Sequence, residues 1–280
     1  MRRIACICLA CWLLLIGCGK KTSETDISAA DVKLVTEEGD IYIDLFEDTP
    51  KHKENFLKLA ASGFYEDLTF HRVVKNLMVQ AGNPKLAGKS DKEDAGYELA
   101  AEISDKYVHT RGMLAAARVP DMQNPLRKSS GSQFFIVTGK PTSDDTLTLI
   151  ENYISQLQFS QDSALMKTFL AKPEILLLEN RLKACLQAGK NDSIPLYQQQ
   201  MMKVFEQFAQ EKGLKRFKYS DEQRKLYKTV GGACPLDMQY TIFGKVIKGM
   251  EVVETIENGK THNEIPAKPI HIQKVEILKK

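Results

Sequence analysis

Two short stretches carry the side chains whose types and spacing could do chemistry: Phe70 to Pro84, reading FHRVVKNLMVQAGNP, and Gly131 to Thr138, reading GSQFFIVT. They set an arginine, a carboxamide, a thioether and paired aromatics into what otherwise reads as apolar strand. Side chains alternate faces along a strand, so Phe70, Arg72 and Val74 share one face. Lys75 and Asn76 read as a turn, and Met78 and Gln80 share a face of the returning strand. A three-residue turn from Lys75 to Leu77 would set Val74 opposite Met78 and Arg72 opposite Gln80 on one surface. A two-residue turn would put Arg72 against Val79 and disperse the set, so the chemistry depends on register.

Such a surface suits rotation about an X-Pro bond, a reaction that needs neither nucleophile nor metal. That rotation is slow because amide resonance must be broken, against a barrier of roughly 18–20 kcal/mol for peptide bonds in general. In the twisted transition state the prolyl nitrogen regains a lone pair. A guanidinium donor bonds that nitrogen more strongly there than in the planar ground state, and only such a difference accelerates the step. An apolar wall would grip the pyrrolidine ring, and Gln80 could hold Arg72 or a substrate backbone group. The competing reading pairs Arg72 with a carboxylate at a sheet edge, and for an isolated strand arginine it is the better one. The constellation taken together with GSQFF reverses that preference.

FHRV followed by MVQAGNP, then GSQFF, then FGKV from Phe243 to Val246, is a specific ordered set, and it resembles the cyclophilin family of peptidyl-prolyl cis/trans isomerases. The resemblance covers about Val32 to Lys140 and Val230 to Lys280. It implies a mainly β fold: a closed antiparallel eight-stranded barrel capped by two helices, here with an α-helical insertion. It also implies an isomerase without cofactor or metal, with Arg72 as the catalytic guanidinium and Gln80 as its polar neighbour. Met78, Phe135 and Leu236 would line the proline pocket, with Leu77 where the family often has phenylalanine. Ala117 and Arg118 fall where family members contact the substrate backbone, a place commonly held by asparagine rather than arginine. Tyr240 takes a pocket position that is histidine in many eukaryotic members and tyrosine in several bacterial ones. Pro235 stands where drug-sensitive members carry tryptophan, which implies weak cyclosporin binding, and Ala81 replaces a usual glycine.

The elements that must position these residues are legible around them. Val32 to Thr36 and Ile41 to Leu45 are β-rich runs about a hairpin signal at Glu37 to Asp40. Thr49-Pro50 offers an N-cap and a proline at N1 for a helix running toward Gly63. Gly88 to Gly96 reads as a loop, Gly112 to Ala117 and Gln133 to Val137 as strands. Thr241 to Val246 is a strand, Met250 to Ile256 a short helix and Ile270 to Leu278 a last strand. From about Asp144 to Lys228 the pattern turns helical: Leu147, Ile150, Tyr153, Ile154 and Leu157 form one stripe, and Met201, Val204, Phe205 and Phe208 another. Pro173 interrupts a helix from Ala164 to Ala188, and Ser220 with Gln223 reads as a capping box.

Composition bounds what surrounds this. The chain has 280 residues, 43% hydrophobic and 27% charged, with a net charge of +3. Those are the proportions of an ordinary globular protein, and the dispersed lysines give no nucleic-acid footprint. Arg2 and Arg3 precede an apolar run from Ile4 to Ile16, too short for a spanning helix, and then Leu15-Ile16-Gly17-Cys18. This resembles a bacterial lipoprotein signal, with Cys18 as the lipid-modified first residue of a mature protein in the cell envelope, on the periplasmic or extracellular side. The expected organisation is a signal peptide at 1–17, a tether at 18–30, the barrel domain at 31–140 and 229–280, and the helical insertion at 141–228. Expected partners are proline-containing unfolded or exported polypeptides and a membrane, not nucleic acid. Cys185 and Cys234 remain after processing, and whether they pair is open. The five histidines show no ligand spacing. The function expected is an isomerase assisting the folding of exported proteins. Its alternative is a poorly catalytic chaperone or scaffold that holds proline segments.

Overall fold

The computed structural model describes residues 27–160, 162–189 and 191–279; the signal, Cys18 and most of the tether lie outside them. In chain order the elements are β1 (Val32–Thr36), β2 (Gly39–Leu45), α1 (Pro50–Ala61), β3 (Arg72–Val74), β4 (Met78–Ala81), β5 (Glu98–Leu99), β6 (Met113–Ala116), β7 (Ser129–Ser130) and β8 (Phe134–Val137). Five helices follow: α2 (Asp144–Ser160), α3 (Ser163–Leu170), α4 (Pro173–Gln187), α5 (Ile194–Glu211) and α6 (Asp221–Thr229). The chain then returns through β9 (Ile242–Lys248), α7 (Met250–Asn258), the small hairpin β10 (Thr261–His262) and β11 (Ile265–Pro266), and β12 (Ile272–Ile277).

Eight strands form one antiparallel sheet in the order β12-β1-β2-β9-β6-β8-β4-β3. The expected closure of this sheet into a barrel is not met, since β12 and β3 are its two ends and no ladder joins them. The seam is bridged instead by the pair Thr69 and His271 and by irregular bonds such as Phe70 N–H to Ile270 O at 3.0 Å and Ile272 N–H to Leu68 O at 2.7 Å. Pro266 and Pro269 in the returning segment have no N–H to give, so a regular ladder cannot continue across it. Inside the sheet, Val32, Leu34, Ile41, Ile43 and Leu114 are fully buried. α1 adds Phe56, Leu59 and Ala60 to that core and α7 adds Val252, Val253 and Ile256.

Local signals hold with two corrections. Thr49 precedes α1 but makes no side-chain cap; the Glu102 carboxylate, 50 residues away, accepts from the backbone of Lys51 and His52 instead. An acidic group there suits the positive end of the helix. Ala30, assigned to the tether, is only 1% exposed, so the folded part begins before residue 31. Ser220 and Gln223 form the full capping box, and α4 starts at Pro173.

The helical segment leaves and rejoins the sheet at one place: a Cβ on Gly139 would lie 2.0 Å from the carbonyl oxygen of Gly232, so both strands of the junction depend on the missing side chain. Leu147, Ile154, Phe217, Tyr219 and Tyr227 pack there against Val108 and Cys234. Farther out, Phe159, Phe169, Phe205 and Phe208 form an edge-to-face cluster with Ile175. One buried carboxylate pins the segment: Glu151, 1% exposed, accepts from Lys218 at 2.7 Å, Arg224 at 2.7 Å and the Tyr219 N–H at 3.0 Å. Burial pushes its pKa up, but these three donors outweigh burial and hold it below the ordinary carboxylate range. The stabilisation is therefore complete above the unfolded carboxylate pKa and is lost as pH falls through the lower folded value. Glu151→Gln should cost about 2 kcal/mol in denaturant unfolding at neutral pH. It should also flatten the loss of stability below about pH 4; an unchanged midpoint at both pH values would contradict this role.

Candidate active site

The β3–β4 hairpin has the register that a three-residue turn requires, with Arg72 paired to Gln80, Val73 to Val79 and Val74 to Met78. Asn76 takes the left-handed conformation, φ 60°, at its tip. The ladders continue the row, since Gln80 faces Phe135 of β8 and Phe135 faces Ala115 of β6. A guanidinium, an amide and an aromatic ring are thus carried to one face by two successive strand pairings.

That face is a cleft of 210 Å³ lined by Arg72, Leu77, Met78, Gln80, Ala117, Arg118, Phe135, Leu236 and Tyr240. All nine residues singled out from the sequence for catalysis or substrate contact line it. Met78, Phe135 and Ala117 are buried and form the apolar floor, while Leu77, Leu236 and Tyr240 are half-buried. The Phe135 and Tyr240 rings meet edge to face at 5.5 Å. Arg118 turns inward: its guanidinium lies 4.7 Å from the Tyr240 ring centre, donates to the carbonyls of Gln239 and Val119, and pairs with Asp121 at 2.6 Å. It therefore serves as a wall under Tyr240.

Arg72 is half exposed. Its Nε donates to Glu264 Oε2 at 2.7 Å and its Nη1 reaches Gln80 Oε1 at 3.5 Å. The Gln80 amide is oriented in turn, since its Nε2 donates to Gln133 Oε1 at 2.9 Å and Gln133 Nε2 donates to the Glu93 carbonyl at 2.8 Å. The carboxylate partner weighed as the bland reading of Arg72 exists, and it coexists with the cleft.

Beneath the floor lies a buried polar knot. Asp237, next to Leu236, accepts from the His109 N–H at 2.7 Å and lies 2.8 Å from His109 Nδ1. The Tyr219 and Tyr227 hydroxyls each donate to its other oxygen at 2.6 Å. Burial, then the charge of Asp237, raises both phenol pKa values, so the two stay neutral donors. The His109 ring stacks on Phe135 at 6.1 Å and meets Tyr240 edge-on at 6.2 Å. Two tyrosines of the helical segment thus hold the turn that carries Leu236.

Sequence reasoning missed Glu264, Gln133, His109 and Asp237. Gln133 lies in the quoted GSQFF stretch and carried a signal, and Asp237 directly follows the pocket residue Leu236; Glu264, 192 residues from Arg72, carried none. Cys185 and Cys234 are both free thiols, and burial pushes that of Cys234 up to about 11. Among the described residues no group of three or more His, Cys, Asp or Glu is placed to hold a metal. Cys18 lies outside them.

Comparison with known proteins gives consistent results. The family model described as cyclophilin type peptidyl-prolyl cis-trans isomerase/CLD matches residues 31–153 and 201–277. Peptidyl-prolyl cis-trans isomerase CYP18-1 of Arabidopsis thaliana is 42% identical over 111 residues, 39% of this chain and 66% of that protein. A Staphylococcus saprophyticus protein provisionally named a peptidyl-prolyl cis-trans isomerase is 26% identical over 260 residues, 91% of this chain and 95% of its own. A crystal structure of a Cryptosporidium parvum cyclophilin type isomerase, in the presence of the dipeptide Ala-Pro, matches at a TM-score of 0.49 and 21% identity over 89% of this chain and 99% of that one. With a family match on both sides of the outer helices, the chain belongs to the cyclophilin-type peptidyl-prolyl cis-trans isomerases.

Proposed function

We propose that the cleft binds proline and that Arg72 stabilises the half-rotated X-Pro bond, in a protein that assists the folding of exported polypeptides from a lipid anchor at Cys18. The observation that carries the site is the convergence of all nine residues on one small concave surface, with the guanidinium at its edge. Met78 and Phe135 offer the pyrrolidine ring an apolar floor, and binding there removes water from the imide. As the bond twists, its nitrogen becomes a hydrogen-bond acceptor beside Arg72. The planar isomers present no such lone pair, so the donor favours the transition state over either of them. Gln80, locked by Gln133, keeps the donor turned toward the cleft. The helical segment, 141–228, is read as an insertion: the family match leaves 154–200 outside, and its two ends meet at Gly139 and Gly232.

Arg72→Ala should lower kcat/KM for proline isomerisation about a hundredfold, the scale of losing one transition-state donor, with an unchanged circular dichroism spectrum. Equal turnover in both proteins refutes the role. Measurable affinity for unfolded polypeptide with no rate enhancement in the parent protein would favour the binding-chaperone alternative. Glu264→Ala should lower kcat about threefold to tenfold and leave KM within about twofold, the pattern of a group that orients a transition-state donor. In cell fractionation, Cys18→Ser should move the protein from the membrane to the soluble fraction; unchanged membrane partition would remove the lipid anchor.

A further inference from the structure

A second cavity, of 660 Å³, adjoins the cleft, and Arg72 lines both. Phe70, Leu86, Ala87, Ile265, Pro266 and Pro269 give it most of its surface, with Arg72, Glu264, Asp67 and two histidines at its margins. Phe70 is buried, but Leu86 on the loop after β4 and Ile265 in β11 are each 61% exposed. A single exposed aliphatic residue needs no explanation, whereas two of them on the walls of one concavity mark a surface that awaits a partner. The cavity opens where the sheet fails to close, between residues 67–72 and 263–271. The β10–β11 hairpin ties it to the cleft, because Glu264 holds Arg72 and the next residue, Ile265, lines the cavity.

We propose that this cavity is a second substrate subsite, which takes an aliphatic side chain from the same polypeptide whose proline fills the cleft. The inference rests on the reading of the cleft as the proline site. Continuity identifies the occupant: an extended chain advances about 3.3–3.6 Å per residue, so a side chain a few residues from the proline reaches past Arg72. The wall identifies its chemistry: most of its surface is apolar, and its carboxylates and guanidinium are already paired, Arg72 with Glu264 and Asp67 with Lys89, so an aliphatic side chain suits it better than a charged one.

The test uses the full protein and peptides with one proline, carrying leucine or serine at each of three positions on either side. One position should favour leucine over serine about tenfold in kcat/KM, within the range of discrimination by a hydrophobic pocket. In the variant L86S/I265S that ratio should fall to about one. The same ratio read as Kd by fluorescence anisotropy, on the parent and on Arg72→Ala, keeps the outcome independent of turnover. Loss of turnover in Arg72→Ala with the leucine preference retained in Kd supports the subsite. A preference below twofold at every position, or one that survives the double substitution, overturns it and leaves the proline cleft standing.

Discussion

Arg72 stands on an edge strand of three residues, and its place is set from three directions. The ladder to β4 puts it opposite Gln80, the ladder from β4 to β8 puts Gln80 opposite Phe135, and the β10–β11 hairpin brings Glu264 to its other side. A slip of one residue in the first of these would turn Arg72 from the cleft and bring a valine to face it. The turn at Lys75 to Leu77 prevents the slip: Asn76 adopts the left-handed conformation that asparagine tolerates, and the Leu77 N–H bonds to the Val74 carbonyl at 3.0 Å. The Asn76 N–H is further held by Glu257 of α7 at 2.7 Å. Register is therefore anchored by tertiary contacts as well as by the hairpin itself.

The floor of the cleft has a different support. Phe135 and Tyr240 rest on His109, and His109 is fixed by Asp237. Asp237 is 1% exposed and takes four donor contacts, two of them from tyrosines of the helical segment. A buried carboxylate left with fewer partners would cost several kcal/mol in desolvation, so the helical segment is built into the cleft's foundation. Its outer cluster of phenylalanines, by contrast, packs within the segment itself.

Local chemistry was legible in the sequence and long-range chemistry was not. The hairpin register followed from strand alternation and one turn length, and the capping box at Ser220 and Gln223 from spacing alone. Thr49 misled because the same residue type that caps a helix also bonds a preceding carbonyl, here that of Phe46 at 3.3 Å. The group that does serve α1, Glu102, is separated from it by a loop whose path no local pattern encodes. Glu264 is the same case at larger separation. The closed barrel was what the family resemblance implied, and between β12 and β3 the seam is held by irregular bonds rather than by a ladder.

The pairing of Arg72 with Glu264 is instructive because it contributes little to the fold. Both side chains are about half exposed, and exposed ion pairs typically contribute no more than about 1 kcal/mol. A stabilising purpose is a poor reason for it; an orienting purpose is a better one. The guanidinium is a rigid planar fork, so holding Nε on Glu264 with Nη1 turned toward Gln80 biases both its plane and its direction. A lysine ammonium paired with Glu264 would still have N–H donors to offer, but on a rotating head rather than a planar fork of fixed direction. The carboxylate and the amide together make a mobile surface arginine into a donor of set direction, which is the property that rotation of an imide in the adjoining cleft would demand.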